Sequence, residues 1–425
     1  MGYGHQRAVY PLEFMAEGGI ITVGATDKSA PSERKYWRRM LWIYELFSRA
    51  RGIPVIGKPI FGILDTFLRI PSFYPMRNLS HITFQVSLLS KQIRNGLCSG
   101  MMNKIKSRHL PLVTSFFAPA IAADMKGYDR IYCIICDADL NRVWVSPQPW
   151  DSRIVYCAPC GKAAQRLRAY GVPDSKIFVT GFPIADELLG GTALTVLKSD
   201  LGQRLFYLDP KNKFRPLHER NIEYFLGEEN CIFRGERKLT ITYAVGGAGA
   251  QKEIARSIAR SLNARLSRGE VKLNLVAGIR EEVRDYFEKI RTELPDAAHS
   301  IEIIYDPVMS EYFRKFNLII RNTDILWTKP SELSFYSALG LPVIMTPTIG
   351  SQEIFNRRWL TDINAGIRQI NPEYTDQWLY DMLDSGKLAD AAWSGFLKAR
   401  KLGVYKITEI IETGKMTESN SPVMR

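Results

Sequence analysis

The chain has 425 residues, 46% apolar and 24% charged, the balance of a globular protein long enough for two full cores. No apolar run approaches the ~20 residues a membrane span needs, and no signal-peptide pattern opens the chain, so a cytoplasmic location is expected. The net charge of +13 is uneven: residues 1–110 hold sixteen Lys and Arg against six Asp and Glu, which suits an anionic partner (a membrane surface, a phosphorylated acceptor or nucleic acid) or simply a soluble basic surface.

In chain order, Ile20–Gly24, Leu112–Phe117, Arg130–Cys136, Ile154–Ala158 and Ile177–Thr180 read as buried strands of a first half. Between them, residues 34–106 are rich in aromatics and Arg. There Trp37, Met40, Leu41, Tyr44 and Phe47 fall on one helical face, with Arg34, Lys35, Arg38 and Arg39 elsewhere. Such a basic amphipathic helix suits a membrane interface or packs on its own sheet. No nucleic-acid module is recognisable, so no nucleic-acid partner is expected.

Cys133-x-x-Cys136 and Cys157-x-x-Cys160 have zinc-ribbon spacing. The first pair sits in a continuous apolar run, however. Residues three apart on a strand point to opposite faces, so buried reduced thiols and no metal are expected.

After a polar stretch, 198–238, the second half repeats the pattern with Leu239–Val245, Lys272–Ala277, Ile301–Tyr305, Leu318–Ile320 and Pro342–Thr346. Alternating strands and helices in two copies predict an α/β protein with two doubly wound, Rossmann-like domains facing a cleft. The expected divisions are 1–200, a connection over 201–238, a second domain over 239–374, a helical segment over 375–415 that packs back on the first domain, and a disordered tail over 416–425.

The strand ending at Val245 runs into Gly246, Gly247, Ala248, Gly249, Ala250 and Gln251, and then into a helical pattern. Strand, small-residue turn and helix start are the layout of a phosphate cradle, because bare backbone N–H groups and the helix dipole can face an anion, and equally of a plain tight strand-to-helix connection. The spacing matches neither the dinucleotide fingerprint nor the P-loop. Further along come Ala277-Gly278-Ile279-Arg280, Thr328-Lys329-Pro330-Ser331-Glu332, Gly340-Leu341-Pro342-Val343, and Gln352-Glu353-x-x-Asn356.

In that order these segments resemble nucleotide-sugar glycosyltransferases of the GT-B architecture, in particular monogalactosyldiacylglycerol synthases and the peptidoglycan lipid-intermediate N-acetylglucosaminyltransferase. Gly2-Tyr3-Gly4-His5 resembles the family's cleft-facing G-x-G-H turn, and Tyr156–Cys160 with Lys176–Ile184 resembles the end of its first domain. The resemblance implies a UDP-sugar donor, no metal or other cofactor, and a lipid-linked or membrane-proximal acceptor at the inner face of the membrane. It implies that residues 246–251 hold the diphosphate, Gly278, Ile279 and Arg280 the base, and Glu332, beside Lys329 and Ser331, the ribose. Gln352, Glu353 and Asn356 would read the sugar. The chain departs from the family in two places: Phe335 stands where the ribose-binding acid is usual, and no strand precedes the G-x-G-H turn.

An inverting transfer needs a general base. His5 is the first choice and Asp139 and Asp137 the alternatives, with Gly4 and Arg142 on the acceptor side. Two other readings are a UDP-sugar 2-epimerase and an idle nucleotide-sugar-binding protein.

Overall fold

The computed structural model describes residues 3–24, 33–39, 70–235, 237–247, 249–348, 350–421 and 423. Met40, Leu41, Tyr44 and Phe47 of the amphipathic pattern, and Gly2 and Ala248 of the two glycine turns, lie outside the described residues.

The fold is α/β, with two wholly parallel sheets in two Rossmann-like domains. In the first, β1 (Leu112–Thr114), β2 (Ile131–Ile134), β3 (Ile154–Ala158) and β4 (Ile177–Val179) lie side by side in chain order. Its helices are α1 (Tyr3–Val9), α2 (Phe84–Arg94), α3 (Ser99–Ile105), α4 (Phe117–Met125) and α5 (Gly161–Ala169). The carboxylate of Glu33 accepts from the backbone N–H groups of Cys98 and Gly100 and from the Ser99 hydroxyl, tying the 33–39 helical turn to the start of α3. Ile20–Gly24 is not a strand. Gly18, Gly19 and Gly24 all take positive φ and bend the chain where a strand must run straight.

The second sheet holds β5 (Leu239–Ala244), β6 (Val271–Gly278), β7 (Ile301–Tyr305), β8 (Ile325–Thr328), β9 (Val343–Met345) and β10 (Gly366–Arg368), ordered β10-β9-β8-β5-β6-β7. All of β5 and β8, and nearly all of β6, are buried, which is why they read as largely apolar runs. The helices of the chain's second half are α6 (Thr195–Leu208), α7 (Arg215–Leu226), α8 (Glu253–Ser261), α9 (Asn263–Ser267), α10 (Glu281–Glu293), α11 (Met309–Arg321), α12 (Ser351–Asp362), α13 (Thr375–Asp384), α14 (Lys387–Lys398) and α15 (Gly403–Thr413).

Leu318–Ile320, expected as a strand, lies inside α11. There Phe313, Phe316 and Ile320 are buried at helical spacing while Leu318 is 55% exposed. The strand is instead β8, hydrogen-bonded between β5 and β9.

Residues 201–238 are no loose connection. In α6, Arg204 donates to the carbonyls of Thr323 and Leu339, so this helix packs on the second domain. The final helical segment divides. α13 stays with the second domain, with Trp378 5.3 Å from Trp327. α14 does too, where Gly395 lies so close to the Ser337 carbonyl that a Cβ would sit 2.5 Å from it. Only α15 returns to the first domain. Gly403 abuts the Phe182 carbonyl, and Arg130 donates to the Ile411 carbonyl at 3.0 Å.

Candidate active site

In the second sheet the strand order switches at β5 and β8, the chain building outward to one side from β5 and then to the other from β8, and ligands of open α/β sheets bind beyond the strand ends at such a point. Here the chain leaves β5 at Gly246 and β8 at Lys329. A Cβ on Gly246 would lie 2.3 Å from Lys329 Cε, so a side chain there would push the lysine from its place across the loop. Lys329 Nζ then reaches Glu353 Oε1 at 2.9 Å near the start of α12.

The loop itself is a tight turn, with Gly249 N–H donating to the Gly246 carbonyl at 2.8 Å and Gly249 at φ +68°. Gln251 anchors its far end. The side chain donates to the Pro347 carbonyl and accepts from the Thr346 hydroxyl, and its carbonyl accepts from Tyr243. Gly246, Gly247, Gly249 and Ala250 are partly exposed, and α8 begins with no side-chain cap. A cation, a glycine turn and an uncapped helix start thus meet at the switch point. That arrangement fits a diphosphate.

The first domain adds Asp137, just beyond β2. Asn356 on α12 bridges the domains. Its Nδ2 donates to Asp137 Oδ1 at 2.8 Å, and its Oδ1 accepts from the Ala138 N–H at 2.7 Å. Burial pushes the Asp137 carboxyl up to about 6; Glu332 and Glu353 push the same way, against Asn356 and Lys329. A carboxylate titrating there suits a general base.

His5 sits in α1 rather than in a turn. Its Nδ1 lies 2.7 Å from the Ser115 carbonyl, which can only accept, so Nδ1 carries the proton and Nε2 is the nitrogen left to accept one. Burial brings its pKa down to about 4, so the ring stays neutral at pH 7 but is a weaker base than Asp137.

Two residues proposed for chemistry are structural. Asp139 is buried in an ion pair with Arg166 Nε at 2.7 Å, and the guanidinium also stacks 3.9 Å from the Phe73 ring centroid. Burial raises the Asp139 pKa against the pull of Arg166. Arg142 donates to the carbonyls of Ser80, Val145 and Ser146 and is 3% exposed, so it faces no acceptor. Truncating Asp139 to Ala strands a buried guanidinium and is expected to cost about 3–5 kcal/mol of stability in urea unfolding.

Glu332 opens a short 3-10 turn and faces Arg7 of α1, Oε1 to Nε 3.6 Å, directly over Gly4. Phe335 cannot take the acid's place. It is buried, stacked on Phe182 at 5.4 Å and tilted against Trp359 at 4.8 Å. Ser331 lies behind Glu332, its N–H donating to the Lys329 carbonyl at 2.8 Å. Arg280 turns back, Nε to the Gly247 carbonyl at 2.9 Å, and so braces the glycine loop. Gln352 is partly exposed in the first turn of α12, beside Glu353.

Sequence reasoning missed the contribution of α1 to this region. Tyr3 accepts from the Ile279 N–H at 3.1 Å, with its ring against Gly278. Arg7 donates to Tyr312 at 2.9 Å and lies 4.2 Å from the Phe316 centroid. The i, i+4 spacing of Tyr3 and Arg7 was the only signal.

Cys133, Cys136, Cys157 and Cys160 are buried free thiols, each with its pKa pushed up by burial. Among the described residues no three His, Cys, Asp or Glu gather in a metal-binding group, and no helix is long and apolar enough to cross a membrane.

Residues 278–411 match the family model described as Domain of unknown function (DUF6938). No curated protein matches the chain. Among solved structures the chain is similar to Acinetobacter baumannii MurG at 14% identity, over 77% of this chain and 78% of that one, with a TM-score of 0.43. It is also similar to S. aureus MnaA, solved with UDP, at 14% identity over 80% and 85% and a TM-score of 0.45. A third is the UDP-GlcNAc 2-epimerase of Neisseria meningitidis bound to UDP-GlcNAc, at 12% identity over 84% and 87% and a TM-score of 0.43. The chain's own architecture is two Rossmann-like domains, each built on a wholly parallel sheet.

Proposed function

We propose that the protein transfers a sugar from a UDP-sugar to a lipid-linked or membrane-proximal acceptor, without a metal ion. The observation that carries this reading is the meeting of Gly246 and Lys329 at the switch point, closed from the first domain by the Asp137–Asn356 hydrogen bond. Residues 246–251, Lys329 and the start of α8 offset the diphosphate charge. Gln352 and Glu353 face the sugar. Asp137 takes the proton from the acceptor hydroxyl as that oxygen attacks the anomeric carbon, and UDP leaves into the cradle.

An acceptor at the inner membrane face is supported by the basic first domain. Arg38 and Arg39 are exposed, and Tyr74, Met76, Phe84 and Leu88 are exposed beside Arg77 and Lys91. Trp37 is not free to insert: it packs on Gly24, and its indole N–H points to Glu33. Changing Arg38 and Arg39 to Glu is expected to release the protein from anionic vesicles at low salt, since each cation near such a surface contributes about 1 kcal/mol. Donor affinity should not change. Equal absence of wild type from anionic and neutral vesicle pellets would refute the membrane assignment.

The activity is tested by UDP release from UDP-sugars with and without lipid extract. Release only with lipid is the expected result. Formation of the 2-epimer without acceptor, or binding with no turnover, would replace this reading with the epimerase or the idle protein.

A further inference from the structure

The end of β6 is an open backbone corner. Gly278 stands at φ +70°, and beyond it the N–H of Ile279 points out of the sheet. The corner is filled by a residue of the other domain. The Tyr3 ring lies so close that a Cβ on Gly278 would sit 2.6 Å from its Cε2 and Oη. The phenol oxygen accepts from Ile279 at 3.1 Å, and Tyr3 is 7% exposed. A flat ring against a glycine, with an oxygen on the strand-end N–H, is the contact a pyrimidine carbonyl would make there.

The neighbouring residues repeat the substitution. Gly4 lies under the Glu332 carboxylate, 2.9 Å from its Oε2 to a built Cβ, and Arg7 Nε stands 3.6 Å from Oε1. Arg7 is anchored behind by Tyr312 and the ring of Phe313, 4.8 Å from its guanidinium. One turn of α1 therefore covers both the base corner and the candidate ribose acid.

We propose that Tyr3 is a built-in occupant of the base subsite, so that a uridine nucleotide binds only as α1 withdraws Tyr3 from Gly278 and Ile279. This rests on the nucleotide-sugar reading of the same cleft. Its consequence is a conformational toll on affinity, because only the fraction of molecules with Tyr3 displaced can accept the base. The toll falls on ligands that carry a base. Inorganic pyrophosphate does not meet it.

The test is calorimetric titration of the full chain with UDP and, separately, with pyrophosphate. Tyr3→Ala should bind UDP at least about tenfold more tightly than wild type, with Tyr3→Phe, which keeps the ring and loses the oxygen, in between. Pyrophosphate affinity should be the same in all three. Equal or weaker UDP binding by a folded Tyr3→Ala, with Gly249→Val still abolishing it, would overturn the proposal and leave the donor site standing. No UDP binding by any variant, Tyr3→Ala included, would overturn the donor reading itself. A second measurement uses wild type alone, so it does not depend on a variant folding. Saturating UDP should raise the nitration of Tyr3 by tetranitromethane severalfold; protection of Tyr3 by UDP would refute the displacement.

Discussion

Asp137→Asn is expected to lower kcat by about 10²–10⁴-fold, the contribution of a positioned general base. The loss should be almost entirely in turnover. Asn keeps the size of the side chain and an oxygen that can still accept from Asn356 Nδ2, so the bridge between the domains survives. The pH profile identifies the group. The acid form of Asp137 cannot take a proton, so wild-type kcat/KM should fall as pH drops through about 6 and level off above it. His5, held down to about 4, would give no inflection in that window. A profile that is flat from pH 5 to 8, with full activity in Asp137→Asn, would move the base role to His5.

Gly249→Val is expected to abolish nucleotide-sugar binding in a protein that stays folded. The position stands at φ +68°, and a Cβ would lie 2.9 Å from Val283 Cγ2, so a β-branched residue must swing the turn out of place. Losing even one charge-assisted phosphate hydrogen bond costs about 1.5–3 kcal/mol, a tenfold or greater drop in affinity. Gly246→Ala should weaken binding independently by pushing Lys329 off the loop. Unchanged affinity in both variants, measured by calorimetry beside thermal melts, would refute the phosphate cradle.

The frame of the fold was legible because buried parallel strands are largely apolar runs. Ile154–Ala158 and Ile301–Tyr305 have the expected bounds, and the glycine loop follows β5 as its composition implied. Errors arose where two periods compete. Leu318–Ile320 is apolar enough for a strand, but it continues the helical spacing of Phe313 and Phe316, and β8 lies just beyond it. In the site, the residues adjoining strand ends were found, and their tertiary partners were not. Asp137 and Asp139 are two apart in sequence, yet one meets Asn356 in the cleft and the other is locked to Arg166. Nothing local separates them. The contact between Tyr3 and Ile279 spans 276 positions and depends on how the domains face each other, which no motif encodes.

We propose that one cleft, built on the β5–β8 switch point and closed by Asp137 and Asn356, holds a nucleotide sugar. Hydrogen exchange of the full chain with and without a saturating UDP-sugar tests it most directly. Slower exchange is expected at 246–251, 329–332 and 352–356, with a matching change around Asp137 across the cleft. Protection confined to other surfaces, or no change anywhere at ligand concentrations that saturate UDP-sugar enzymes, would contradict it.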